Sequence, residues 1–187
     1  VRGGGGNFGV VTSFLFRAHP IHTNYAGPML WPMEDAAEIM RWYRAFIANA
    51  PNTITGFFAF LIVPPGPPFP AHLHNKKMCG IVWCYTGPMQ QAEETFKPIR
   101  GFLTPALDFV GPIPHPALRS MCDTLYPPGL QWYWKADCVN ALSDEAIRLH
   151  VKHGSQVPTM HSTMHLYPVN GAAHRVGKHD TAWSYRE

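Results

Sequence analysis

Charge is what this chain has least of. Asp, Glu, Lys and Arg make up 14% of its 187 residues, against a usual share of about 25%. The net charge at pH 7 is +3, and the basic residues are scattered without a run. A nucleic-acid surface needs a basic patch or stripe, and nothing here supplies one. Long apolar runs are missing too. "SFLF" and "GFFAFLIV" fall short of the roughly 18 residues that a membrane span needs, so no membrane partner is expected. Cysteine is sparse and never occurs as C-x-x-C. Cys79 and Cys84 share one apparent strand at an odd separation, which points their side chains to opposite faces and argues against zinc and against a local disulfide. Four idle thiols fit a reducing compartment. With no export signal visible in a sequence that starts at Val1, the expected location is cytoplasmic.

Apolar residues are plentiful at 46%, and aromatic residues stand at 13%. A chain poor in charge and rich in rings has either a large face meant for a ligand, cofactor or partner, or a core with unusually many rings. Its length suits one domain, or one plus a small appendage.

The elements alternate. "FGVVTSFLFRAHP" and "YAGPMLW" read as strands. "MEDAAEIMRWYRAFIANAP" reads as a helix, with acids in its first turn and Pro51 beyond its end. "TITGFFAFLIVPP" and "MCGIVWCYTGP" read as an antiparallel hairpin over 53–86, joined by the Pro-rich turn "GPPFPAHLHNKK". "MQQAEETFKPIRGFL" is a helix with a kink expected near Pro98, and "PHPALRSMCDTL" a short one. "QWYWKADCV" reads as a strand. "SDEAIRLHVKHGSQV" reads as a helix capped by Ser143, and "TMHSTMHLYPV" as a strand. "NGAAHRVGKHDTAWSYRE" starts with a turn and ends in a further strand. Hairpin-like pairs separated by helices predict an α+β fold: an antiparallel β-sheet with helices packed on one face. The other face is then free for a ligand or another domain.

The N-terminal "VRGGGGNFGVV" contains G-x-G-x-x-G. A dinucleotide loop needs a strand before it and a helix after it. Here two residues precede it and a strand-like segment follows, and no Gly-Lys-Ser/Thr is present. Two readings stay open: a flexible lead into a strand, or backbone stripped of side chains so that a flat cofactor can lie against it.

Three period-two sets each mark one sheet face: Trp83 with Tyr85, Trp132 with Trp134, and His161 with His165 and Tyr167. Each face is either helix-covered core or ligand-facing. The spacing His161-x-x-x-His165 also suits a metal in a helix, but about 13 Å separates such residues in a strand. No Glu follows His161 to act as the base of H-E-x-x-H. No metal ligand set is therefore assigned.

The stretch "RGGGGNFGVVTSFLFRAHP" closely resembles the segment that closes the FAD-binding domain of the berberine-bridge-enzyme-like FAD-linked oxidases, within the vanillyl-alcohol-oxidase and p-cresol-methylhydroxylase type flavoproteins. Arg2 to Gly9 match that motif, and Arg17, His19 and Pro20 match its end. "LYPVNGAAHRVGKHDTAWSYRE" resembles a second family segment, with Asn170-Gly171 for Gly-Gly, Thr181-Ala182-Trp183 for Thr-Ala-Phe, and the pair Tyr185-Arg186. The resemblance implies that residues 1–20 end an FAD-binding domain. Residues 21–187 would form a substrate-binding domain truncated at its C-terminus, whose open sheet face roofs the flavin. It implies FAD as cofactor, contacted by Gly3, Gly4, Gly5, Gly6, Asn7, Phe8 and Gly9, with the tethering residues upstream of Val1. It also implies hydride removal from an alcohol or amine C–H, with a small-molecule substrate, oxygen and the rest of the FAD domain as partners. Alone, this stretch should neither hold FAD firmly nor turn over.

The expected substrate-side residues are His165, Tyr167, Arg175, Trp83 and Trp132. Some family members place a Glu base where this sequence has Arg175, which cannot be a base at neutral pH. Arg175 would instead bind an anionic substrate group or a flavin carbonyl, or form a plain surface ion pair. The competing class is a non-catalytic ligand-binding module. Substrate identity, catalytic base and oligomeric state are not readable.

Overall fold

The computed structural model describes residues 2–6, 8–183 and 185. Asn7 and Arg186, both singled out above, lie outside the described residues. The chain forms an antiparallel six-stranded sheet with helices packed on it. The strands are β1 (Thr23–Pro32), β2 (Ile54–Ile62), β3 (Lys77–Tyr85), β4 (Leu107–Asp108), β5 (Gly111–Pro114) and β6 (Met164–Leu166). Their order is β4–β1–β3–β2–β6, with β5 also pairing β1. The helices are α1 (Ala36–Ala48), α2 (Ala92–Phe102), α3 (His115–Ser120), α4 (Asp144–Gly154) and α5 (Gly171–His174).

Alternation sorts the strand residues onto two faces. On β3, Cys79, Ile81, Trp83 and Tyr85 enter the main core, as do Tyr25, Met29 and Trp31 of β1 and Ile54, Phe58 and Phe60 of β2. The helices answer at helical spacing: Ile39, Met40 and Tyr43 of α1, Ala92, Phe96 and Ile99 of α2, and Ile147 of α4. Full burial of each large side chain contributes about 1.5–3 kcal/mol. Trp83 is fully buried and stands opposite Gly27 on one side and Gly56 on the other. A Cβ on Gly56 would lie 2.7 Å from Trp83 Cε3, so the widest side chain on β3 sits where its neighbours have none.

Polar bonds tie the helices to this sheet. Tyr43 donates its hydroxyl to the Gly56 carbonyl at 2.7 Å. Arg100 of α2 donates to Glu93 and to Asp108, each at 2.7 Å, and to the Val110 carbonyl at 3.0 Å. Ser143 Oγ accepts the Ala146 N–H at 3.1 Å, the expected cap of α4. The hairpin over 53–86 forms with Ile54 opposite Tyr85. α2 continues through Pro98.

Several expected strands do not form. Residues 8–20 are exposed and unpaired, with Phe14 71% and Leu15 101% exposed. Residues 131–139, read as a strand from their tryptophans, have no regular structure. In 159–169 only Met164–Leu166 pairs. After Asn170 the chain turns into the short helix α5, and no strand follows among the described residues. Propensity marks a side chain that suits a pleated surface; a strand also needs a neighbour for its N–H and C=O groups.

Candidate functional site

The face of the sheet away from the main core carries the site. Its floor is set by register. Leu30, Gly80, Ala59 and His165 stand side by side on β1, β3, β2 and β6. In the next row Pro28, Val82 and Phe57 stand together. The first row is tall at its ends and low at Ala59. Gly80 has no room for more: a Cβ there would meet Leu30 Cδ2 and the Met29 carbonyl.

Two segments wall this floor. One is the Pro-rich turn, contributing Pro64, Pro65, Pro67, Pro68 and Phe69. The other is 121–126. Together they enclose a cavity of about 630 Å³, within the usual span of small-molecule sites, about 300–1,000 Å³. His74 braces the Pro-rich wall: its Nε2 lies 3.2 Å from the Gly66 N and 2.9 Å from the Phe69 carbonyl.

Polar side chains gather at one corner. Tyr167 hydroxyl and His165 Nδ1 are 2.8 Å apart, and Tyr126 hydroxyl and Thr163 Oγ1 are 3.5 Å apart. The Phe57 ring lies 5.1 Å from the His165 ring and 4.8 Å from that of Tyr167. Burial lowers the pKa of His165, so the imidazole is held neutral. Burial, and behind it Tyr126 and Cys122, raises the pKa of Tyr167, which keeps its hydroxyl protonated and able to donate. Neutral His165 with its proton on Nε2 accepts that hydroxyl at Nδ1 and presents an N–H donor on its other side.

The expected substrate-side residues therefore divide. His165 lines the cavity at this corner, and Tyr167 bonds to it from outside the lining. Trp132 is near it: its ring is 5.5 Å from Tyr126 and 5.8 Å from His161, and its Nε1 donates to the Pro127 carbonyl at 3.2 Å. Trp83 is corrected to the helix-covered core, 0% exposed, because odd positions of β3 face the helices. Arg175, expected on the substrate side, is corrected to the C-terminal end of α5. There it donates to Asn52 Oδ1 at 3.1 Å, apart from the cavity lining. Among the described residues no group of three or more His, Cys, Asp or Glu converges on a metal position. No helix among them is long and apolar enough to cross a membrane.

Phe57, Tyr126 and Thr163 were not singled out from sequence. Phe57 had a signal in its period-two relation to Ala59 and Leu61; Tyr126 had none, since a chain turn brings it in.

The glycine stretch forms a separate hollow of about 330 Å³, lined by Gly4, Gly5, Gly6, Phe8, Gly9, Val10 and Val11. It shares no residue with the open-face cavity. A Cβ on Gly5, Gly6 or Gly9 would meet nothing within 4 Å, so this backbone is bare on its open side and fits close contact with a flat group. Gly3 is different. With φ at +75° it packs on the other sequence motif: a Cβ would lie 3.0 Å from Thr181 Oγ1 and 3.1 Å from the Trp183 N. Ala182 N–H donates to the Arg2 carbonyl at 2.9 Å.

No protein-family model matches the chain. It is similar to an FAD-linked oxidoreductase of Dictyostelium discoideum, 25% identical over 85% of this chain and 33% of that protein. It is also similar to an uncharacterized FAD-linked oxidoreductase of Bacillus subtilis (strain 168), 25% identical over 99% of this chain and 39% of that protein. The chain thus spans about a third of the length of the curated relatives it matches, and the likeness supports kinship with FAD-linked oxidoreductases.

Proposed function

We propose that this chain is the substrate-binding portion of an FAD-dependent oxidoreductase of the berberine-bridge-enzyme-like type. The observation that carries the reading is the walled cavity on the sheet face away from the main core, apolar over most of its surface and polar at one corner. The bare backbone at Gly5, Gly6 and Gly9 supports it as the cofactor contact, and the likeness to two FAD-linked oxidoreductases supports the cofactor's identity. Residues 1–20 would close an FAD-binding domain, and the exposed apolar side chains of Phe8, Val10, Phe14, Leu15 and Phe16 suit coverage by the rest of that domain. FAD when bound supplies the acceptor, its N5 taking a hydride from an alcohol or amine C–H, with oxygen restoring the oxidised flavin.

The chain's own part is to bind and orient. The floor and the proline wall exclude water. Tyr167 donates a hydrogen bond, and His165, held neutral, accepts one and offers another. The thiols of Cys79, Cys84, Cys122 and Cys138 are all free, which suits a cytoplasmic protein.

The test is a visible absorption spectrum of the full-length protein, before and after acid precipitation. A flavin band is expected, and one that stays with the pellet means covalent FAD. No band even after added FAD would sink the oxidase reading and leave a ligand-binding module.

A further inference from the structure

We infer that the open-face cavity takes an uncharged, flat, ring-bearing molecule whose hydroxyl is read at the corner of Tyr126, Thr163 and His165. This names the substrate class for the site proposed above and rests on that reading for the site's role in catalysis.

Three features of the lining carry it. First, no Asp, Glu, Lys or Arg lines the cavity. A charged ligand would lose its water there and find no counter-charge. Second, the polar side chains of the lining are Cys122, Thr124, Tyr126, Thr163 and His165, all from two short segments on one side. The opposing wall is largely proline, which has no N–H to donate. A sugar carries hydroxyls all round its ring, and those turned to this wall would meet carbonyl acceptors at most and no side-chain partner. A molecule with its hydroxyl at one end meets the arrangement. Third, the floor is low at Ala59, between the Leu30 side chain, which lies over Gly80, and the Phe57 and His165 rings. A planar ring fills such a trough and stacks at its aromatic end.

The experiment uses the full-length protein at neutral pH and three probes: β-naphthol, β-naphthoate, which has the same ring with a charge, and glucose. Binding is read by quenching of intrinsic tryptophan fluorescence, which does not depend on flavin. β-Naphthol should bind about tenfold or more tightly than either other probe, as expected where a charge or a set of hydroxyls is desolvated unpaired. Ala59→Trp should fill the trough and abolish β-naphthol binding. Thr124→Lys, at an exposed position of the lining where folding is safe, should invert the preference towards β-naphthoate.

Naphthoate or glucose binding as tightly as naphthol would overturn the inference. So would no saturable naphthol binding, or a Thr124→Lys protein with unchanged preference. The two readings fail separately. A protein without flavin that still prefers naphthol keeps this ligand class and loses the oxidase reading. A flavoprotein that prefers glucose does the reverse.

Discussion

The hydroxyl of Tyr167 lies 2.8 Å from Nδ1 of His165, two residues back on the same sheet face. The pair spans the end of β6, and Phe57 of β2 touches both rings. Burial, and not this bond, lowers the His165 pKa.

The sign of the pH effect follows. The folded pKa of His165 lies below its value in the unfolded chain. Its contribution to stability is therefore full above the ordinary value of 6.5 and is lost as pH falls through the folded pKa. NMR titration of the His165 ring should show a midpoint below that of an exposed histidine. Tyr167→Phe should leave the midpoint depressed; a return to the ordinary value would mean that the hydroxyl, not burial, sets it.

Gly56 and Trp83 should be energetically coupled. Gly56→Ala places a methyl 2.7 Å from Trp83 Cε3 and should cost about 1–3 kcal/mol, as overpacking does. In the double variant with Trp83→Phe the Gly56→Ala step should cost less. Urea unfolding of the four proteins measures the difference, and simple additivity would mean that the clash is relieved elsewhere.

Arg100 joins α2 to the edge of the sheet. Its side chain is 29% exposed, and its partners Glu93 and Asp108 are 74% and 25% exposed. Arg100→Met should destabilise by about 1–3 kcal/mol, the Glu93 arm adding little because it is screened by water. Removing Asp108 should cost more than removing Glu93. Equal costs in thermal unfolding would contradict the exposure argument.

Burial, with Asp35 second, pushes the Cys79 thiol up to about 12. Cys138 is exposed. A thiolate-selective reagent should label Cys138 promptly in the native protein and reach Cys79 only on unfolding. Rapid native labelling of Cys79, read by peptide mass, would show that the core opens there.

The long elements were legible because one side of each is buried. The hairpin from β2 to β3 and the helices α1 and α4 follow from period two, period three-to-four and the Ser143 cap. Residues 8–20 and 131–139 were misread for a common reason: their β-branched and aromatic side chains advertise a surface, but no strand among the described residues pairs with them. The site was half legible. His165 and Tyr167 shared a period, but placing Phe57 beside them needs the register of β2 on β6, set across more than a hundred residues. Arg175 was not placed on a helix because Gly171, with φ at +60°, opens α5 where only a turn was read.

The bond from Ala182 to the Arg2 carbonyl has an architectural consequence. It fastens two stretches 180 positions apart in the sequence to one another. Breaking that clasp, for instance by a bulky residue at Gly3, would part these two stretches while the sheet and cavity stayed whole.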